Sequence, residues 1–136
     1  MRYTKLTIYT DGGARGNPGP AGIGAVIYNE NKKVVKEISE YIGETTNNQA
    51  EYKACLRAME EAKKLKATEL DFYLDSELVV KQLKREYKVK NKELAPLFIK
   101  IYNLSQQFKK VSFTHVRREF NKEADRLVNE ALDARK

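Results

Sequence analysis

Residues 5–28 read KLTIYTDGGARGNPGPAGIGAVIY, and this stretch decides the architecture. In 5–10, Leu6 and Ile8 alternate with Thr7 and Tyr9, the period of a half-buried strand. Asp11-Gly12-Gly13 and Gly16-Asn17-Pro18-Gly19-Pro20 are dense in turn formers, so a loop is expected over 11–20. Residues 22–28 (GIGAVIY) and 33–42 (KVVKEISEYI) read as two more strands around a turn at Asn29-Glu30-Asn31. The chain therefore opens with an expected three-stranded antiparallel meander.

The period then changes. Thr46 and Gln49 form a capping-box pattern, and Ala50, Ala54, Ala58, Ala62 and Leu65 recur at helical spacing, which predicts a helix over 47–66. Residues 69–74 (ELDFYL) alternate as a short strand. Asp75-Ser76 begins an expected helix to about Lys84, and 93–108 reads as another, with Pro96 in its first turn. Residues 110–116 (KVSFTHV) form the last expected strand, and Asn121 is expected to cap a helix ending near Ala134. The order βββαβααβα implies an α/β protein with a mixed sheet and helices packed on it. No repeat or linker interrupts it, so one domain is expected over 1–136.

With 136 residues and 41% hydrophobic content, the chain suits a globular fold rather than a disordered one. A net charge of +7 favours a polyanionic partner, nucleic acid ahead of an acidic membrane surface. The single cysteine, Cys55, forms no intramolecular disulfide and is expected in the core. No apolar run is long enough to span a bilayer and no signal peptide is evident, so a soluble, cytoplasmic protein without membrane contact is expected.

Four acids stand in unusual places. Asp11 follows the first strand on the Thr7/Tyr9 face, and Asp75 follows the strand 69–74. Open α/β sheets carry their chemistry at such carboxyl ends. If the first and fourth strands are parallel neighbours, these two carboxylates stand side by side. Glu51 shares a helical face with Cys55, Ala58 and Ala62, and Asp125 shares one with Val128 and Leu132, so spacing turns both toward the protein body. Each acid also has a plainer reading: an Asx-turn for Asp11, a helix N-cap for Asp75, and a favourable helix dipole for Glu51 and Asp125. Together, four converging acids would repel and raise one another's pKa. A shared hard cation relieves that repulsion, and an oxygen-only set suits Mg²⁺ or Mn²⁺ rather than zinc. A pair of such ions about 4 Å apart serves phosphodiester chemistry.

TDGGARGNPGPAGIGAV (10–26), TTNNQAE (45–51), LDS (74–76) and NKEADRLVNEA (121–131) resemble the ribonuclease H family, type 1, in order and spacing. The resemblance covers nearly the whole chain and points to the short-loop form without a loop histidine. It implies a ribonuclease H-like fold: a five-stranded mixed sheet of order 3-2-1-4-5, strand 2 antiparallel, flanked by helices, with 1–136 a single ribonuclease H domain. It implies an endoribonuclease that hydrolyses the RNA strand of RNA–DNA hybrids with two Mg²⁺ (or Mn²⁺) ions, leaving 5′-phosphate and 3′-hydroxyl ends. Asp11, Glu51, Asp75 and Asp125 would be its metal-binding, catalytic acids. Asp11 would be shared by both ions, Asp125 would serve the ion that activates water, and Glu51 and Asp75 the ion beside the leaving 3′ oxygen.

For substrate binding, Gly12, Gly13, Arg15, Gly16 and Asn17 lie where glycine lets backbone amides approach a nucleic acid. Asn47, Asn48 and Gln49 lie at a helix N-terminus, which offers free N–H groups. The resemblance assigns Asn17, Asn48 and Gln49 to the minor groove, where 2′-hydroxyls mark RNA, and Thr46 to a DNA phosphate. Thr46 and Gln49 also read as helix caps. Ser76, beside Asp75, joins the substrate-binding set. Lys81, Lys84, Arg85, Lys88, Lys90 and Lys92 surround Tyr87. This stretch is either a solvated face or the family's substrate handle, here short and without tryptophan, and from it Lys84, Tyr87 and Lys88 are the candidate contacts.

The pattern departs from the family at His115, which lies ten residues before Asp125 on an expected strand. That is too early for the loop histidine of many members, and His115 is read as structural. Arg118 is the candidate to replace that histidine in part, near the scissile phosphate. Two other readings compete. An integrase or junction resolvase of the same superfold is disfavoured by TTNNQAE. An inactive or weak module binding hybrid or double-stranded RNA is disfavoured by the intact acid quartet. A monomer without an obligatory protein partner is expected.

Overall fold

A computed structural model describes residues 3–135. Strands β1 (Lys5–Ala14), β2 (Gly19–Tyr28) and β3 (Val34–Thr45) form the expected antiparallel meander. Helix α1 (Asn47–Lys64) follows, then β4 (Glu69–Leu74), α2 (Glu77–Leu83), α3 (Ala95–Ser105), β5 (Lys110–His115), a short 3₁₀ turn (Arg118–Phe120) and α4 (Lys122–Ala134). The five strands lie in the order β3-β2-β1-β4-β5, with β1, β4 and β5 parallel to one another. This is the ribonuclease H-like sheet. No helix among the described residues is long and apolar enough to cross a membrane.

The sheet divides two packing layers. Leu6, Ile8, Phe72 and Leu74 bury against Tyr52, Cys55, Met59, Val79 and Ile101 in the main core, as period-2 strands facing a helical stripe should. Cys55 is fully buried there, as expected. On the opposite face α4 lies close over β2. A Cβ on Gly24 would sit 2.3 Å from the carbonyl oxygen of Ala124, so only glycine admits the helix at that depth.

Several boundaries differ from expectation. Asp11-Gly12-Gly13 is not a loop. β1 runs on to Ala14, with Asp11 paired to Gly24 and Gly13 to Gly22 on β2, and β2 begins at Gly19 rather than residue 22. The glycines read as turn formers serve close approach instead: a Cβ on Gly12 would meet the Ala50 carbonyl at 2.3 Å. The helix expected over 93–108 is shorter at both ends. Asn91 Oδ1 accepts the amides of Glu93 and Leu94, which fixes a turn before α3. Gln106, Gln107 and Phe108 donate to carbonyls three residues back, a tightened exit that buries Phe108. His115 ends β5 with its side chain exposed, so it fills no structural place in the core. Asn121 stands at the N-cap of α4, but its side chain makes no capping hydrogen bond.

Candidate active site

The parallel pairing of β1 and β4 continues to Tyr9 opposite Tyr73. Two residues further, Asp11 lies within β1 beyond its pairing with β4, and Asp75 follows the last residue of β4. Asp75 is not the cap of α2: the Ser76 hydroxyl accepts the Val79 amide at 3.2 Å and takes that role. Glu51 reaches the same place from the first turns of α1, whose start is fixed by a complete capping box between Thr46 and Gln49. One carboxylate oxygen from each of Asp11, Glu51 and Asp75 lies within 4.8 Å of the others. Asp125, from the first turn of α4, lines the same cavity of about 520 Å³ but stands outside this tight trio.

A single backbone donor organises two of the acids. The Gly12 N–H donates to Glu51 Oε1 at 2.9 Å and to Asp11 Oδ1 at 3.0 Å. That does not offset burial and mutual repulsion. Burial, then the charge of Asp75 and also that of Asp125, raise the pKa of Asp11 from 3.8 to about 7. Burial, then the charges of Asp11 and Asp75, push the Glu51 carboxyl well above its ordinary value. Asp11 and Glu51, both pushed toward the protonated form, stand with Asp75 as an oxygen-only set that fits a divalent oxygen-seeking ion such as Mg²⁺ or Mn²⁺.

Arg118 Nη2 lies 3.9 Å from Asp125 Oδ1 at the cavity rim, with both groups open to solvent. Ala14, Arg15, Asn47 and Asn48 line the same cavity with Gly12 and Gly13. Asn17 Oδ1 accepts the Asn47 amide at 3.0 Å, and Asn47 Oδ1 accepts the Ala14 amide at 2.8 Å, which clasps the β1–β2 loop to the head of α1. Gln49 turns its carbonyl oxygen to the Thr46 amide and to the hydroxyls of Thr45 and Thr46. The carbonyls of Asn17 and Gln49 are thus used internally. Arg15 is drawn to Asp133 at 2.7 Å, and Gly16, with a φ of 105°, turns the loop.

Lys84, Tyr87 and Lys88 do not line the acid cavity. They lie exposed after α2, where Glu86 pairs with Lys84 at 3.2 Å and with Lys81 at 3.7 Å. The basic stretch therefore carries an internal acid that a count of its lysines overlooks.

Sequence reasoning missed the side chain of Asn121. It is 1% exposed, and its Nδ2 donates to Thr10 O at 2.9 Å and to Asp75 Oδ2 at 3.2 Å. An asparagine before a helix is a capping signal, and no sequence pattern shows that its amide points the other way. Asn129 was also missed. It lines the cavity one turn beyond Asp125 and donates to the Asp125 carbonyl at 3.1 Å.

Residues 9–131 match the family described as "Reverse transcriptase-like". The bifunctional protein Rv2228c of Mycobacterium tuberculosis is 44% identical over 131 residues, which are 96% of this chain and 36% of that protein. The chain thus spans about a third of that relative's length. A ribonuclease H of Chlorobium phaeobacteroides is 33% identical, covering 94% of this chain and 95% of its own. Among solved structures, LC11-RNase H1 in complex with an RNA/DNA hybrid superposes with a TM-score of 0.89 at 50% identity, over 94% of this chain and 96% of that one. On its sheet order, its acid-lined cavity and this likeness across most of its length, the chain belongs to the ribonuclease H family.

Proposed function

We propose that the chain is a divalent-metal-dependent endoribonuclease that cuts the RNA strand of RNA–DNA hybrids and leaves 5′-phosphate and 3′-hydroxyl ends. The observation that carries this reading is the trio Asp11 on β1, Glu51 on α1 and Asp75 just after β4, with oxygens within 4.8 Å of one another where the parallel pairing of β1 and β4 ends. Asp125 completes the set from the cavity wall. Likeness to a protein whose structure holds a hybrid supports the choice of substrate.

Asp11, Glu51, Asp75 and Asp125 hold two Mg²⁺ or Mn²⁺ ions in this reading. Bound there, the ions would lower the pKa of an attacking water and neutralise charge on the departing 3′ oxygen. The protein's own part is placement. Gly12 orients Asp11 and Glu51 through one shared N–H. Arg118 brings a fixed positive charge to the rim beside Asp125, suited to a phosphate. With their carbonyls engaged, Asn17 and Gln49 keep their amide N–H groups for the minor groove, beside Asn48. Gly12, Gly13, Arg15, Gly16, Asn47 and Ser76 border the strand to be cut, and Thr46 a DNA phosphate. Lys84, Tyr87 and Lys88 grip the flanking duplex backbone.

The test is cleavage of end-labelled hybrid, double-stranded RNA, single-stranded RNA and duplex DNA, each with Mg²⁺ and with Mn²⁺. Cutting confined to the RNA of the hybrid is expected. Binding of hybrid with no cutting under either metal would favour an inactive binding module of the same fold.

A further inference from the structure

We infer that Asn121 is a positioning residue for the candidate cation site: its side-chain amide sets the bearing of the Asp75 carboxylate and ties it to β1. The inference rests on the reading of the acid cluster as a divalent-ion site and deepens it.

Asn121 lies between the 3₁₀ turn and α4 and is 1% exposed. Its Nδ2 donates to two oxygens from two strands, Thr10 O on β1 at 2.9 Å and Asp75 Oδ2 beyond β4 at 3.2 Å. Only the NH₂ end can face this pair, because the flipped amide would set its carbonyl against two acceptors. Its backbone N–H donates to Arg118 O at 2.9 Å, and its backbone carbonyl accepts the Asp125 amide at 3.1 Å. One buried residue therefore bonds Asp75, the residue before Asp11, and the backbones of Asp125 and Arg118.

Two further observations set this apart from ordinary packing. An asparagine at a helix N-cap normally turns its side-chain oxygen onto the first helical amides. Asn121 makes no such bond, and its Oδ1 is buried without a partner among the described residues. The side chain gives up the cap and leaves an acceptor unmet, both of which cost stability, to present its N–H groups to Thr10 and Asp75. The second observation concerns the trio. Asp11 and Glu51 are anchored by the Gly12 N–H. Asp75 lies past the last β1–β4 pair, Tyr9 with Tyr73, and its carboxylate oxygen is anchored by Asn121. With one oxygen held, rotation of the carboxylate is restricted and its other oxygen keeps a fixed bearing. A polar partner behind a ligating side chain orients it and tunes affinity in this way.

The full-length chain is tested as wild type, Asn121→Ala and Asn121→Leu, the last replacing the amide by an apolar group of similar size. Calorimetric titration with Mg²⁺ and with Mn²⁺, without nucleic acid, is compared with the Mg²⁺ dependence of hybrid cleavage. Both variants are expected to bind the ions, and to need Mg²⁺ for half-maximal cutting, on the order of 10-fold more weakly than wild type. The KM for hybrid at saturating Mg²⁺ should stay within about twofold, since losing the group behind Asp75 acts through the ion. Folded variants with wild-type metal affinity and altered thermal stability alone would overturn the inference while leaving the proposed function intact. A wild-type protein that neither binds the ions nor cuts hybrid would overturn both. If neither variant folds, the ¹⁵N side-chain amide signals of wild type decide: the Asn121 pair should shift on Mg²⁺ saturation, and no shift would overturn the inference.

Discussion

Glu51 accepts the backbone N–H of Gly12 at 2.9 Å, across 39 positions of sequence. The bond exists because α1 lies against β1 with nothing between them: at Gly12 there is no room for a Cβ before the Ala50 carbonyl. Close packing of a helix on a strand thus delivers Glu51 to Asp11, and the fold and the site share one contact.

Gly12→Ala should break both. The added methyl would meet backbone atoms, which cannot turn aside as a flexible side chain does, so α1 must lift from β1. A loss of about 3 kcal/mol or more is expected for overpacking of this kind, with hybrid cleavage reduced further than the unfolded fraction explains. Urea unfolding alongside cleavage of the folded fraction checks this. Stability and activity both near wild type would mean that the contact is soft.

The acid cluster should make the metal-free protein lose stability as pH rises. Burial, then the neighbouring carboxylates, raise Asp11 from 3.8 to about 7, so the native state binds its proton more tightly than the unfolded state. The contribution of Asp11 is then fully present below about pH 4 and is lost between pH 4 and 7, as linkage requires for a raised acid, and Glu51, raised in the same direction, adds to the loss as pH rises. Asp11→Asn removes that loss. In a chelator at pH 8 the variant should unfold later than wild type, by a few kcal/mol at most given about 1.4 kcal/mol per pKa unit. At pH 4 the two should coincide. Added Mg²⁺ should stabilise wild type at pH 8 and leave the variant nearly unmoved.

Arg118 is largely exposed and touches Asp125 only at 3.9 Å, so its removal should not affect folding. Arg118→Ala should lower kcat roughly 10-fold, a change of about 1.4 kcal/mol in the barrier, with KM for hybrid little changed. Steady-state cleavage of hybrid at saturating Mg²⁺ measures both constants. Unchanged turnover would remove Arg118 from the catalytic set.

Lys84 and Lys88 lie away from the acid cavity, so they should affect grip alone. Replacing both by alanine should raise KM, leave kcat intact and reduce the slope of log affinity against log salt by about 1 to 2. Because Glu86 already pairs with Lys84, a slope change nearer 1 is expected. A fall in kcat with an unchanged slope would place these lysines elsewhere in the mechanism.

Much of this was legible in the sequence, for identifiable reasons. The capping box at Thr46 and Gln49 and the alanine spacing fixed α1, and the same periodicity turned Glu51 inward. The neighbouring of β1 and β4 was not readable from periodicity, which is local, and came from the family resemblance. Asp11-Gly12-Gly13 misled because glycine marks a turn and a close approach with the same letter. Which one applies depends on α1, nearly forty residues on. His115 ended in solvent because the carboxyl end of the edge strand β5 is left uncovered. Asn121 occupied the capping position that sequence indicates, but its side chain answers to two strands that no local pattern could name.

Cleavage and binding of one RNA–DNA hybrid, measured together for wild type and Asp11→Asn, bear most directly on the central claim that these carboxylates form a working divalent-ion site. Wild type should cut the RNA strand with Mg²⁺ or Mn²⁺ and stop in chelator. Asp11→Asn should bind hybrid as well as wild type yet cut at least about a thousandfold more slowly, equivalent to roughly 4 kcal/mol in the barrier. Cutting by wild type in chelator, or equal cutting by the two proteins, would contradict the account.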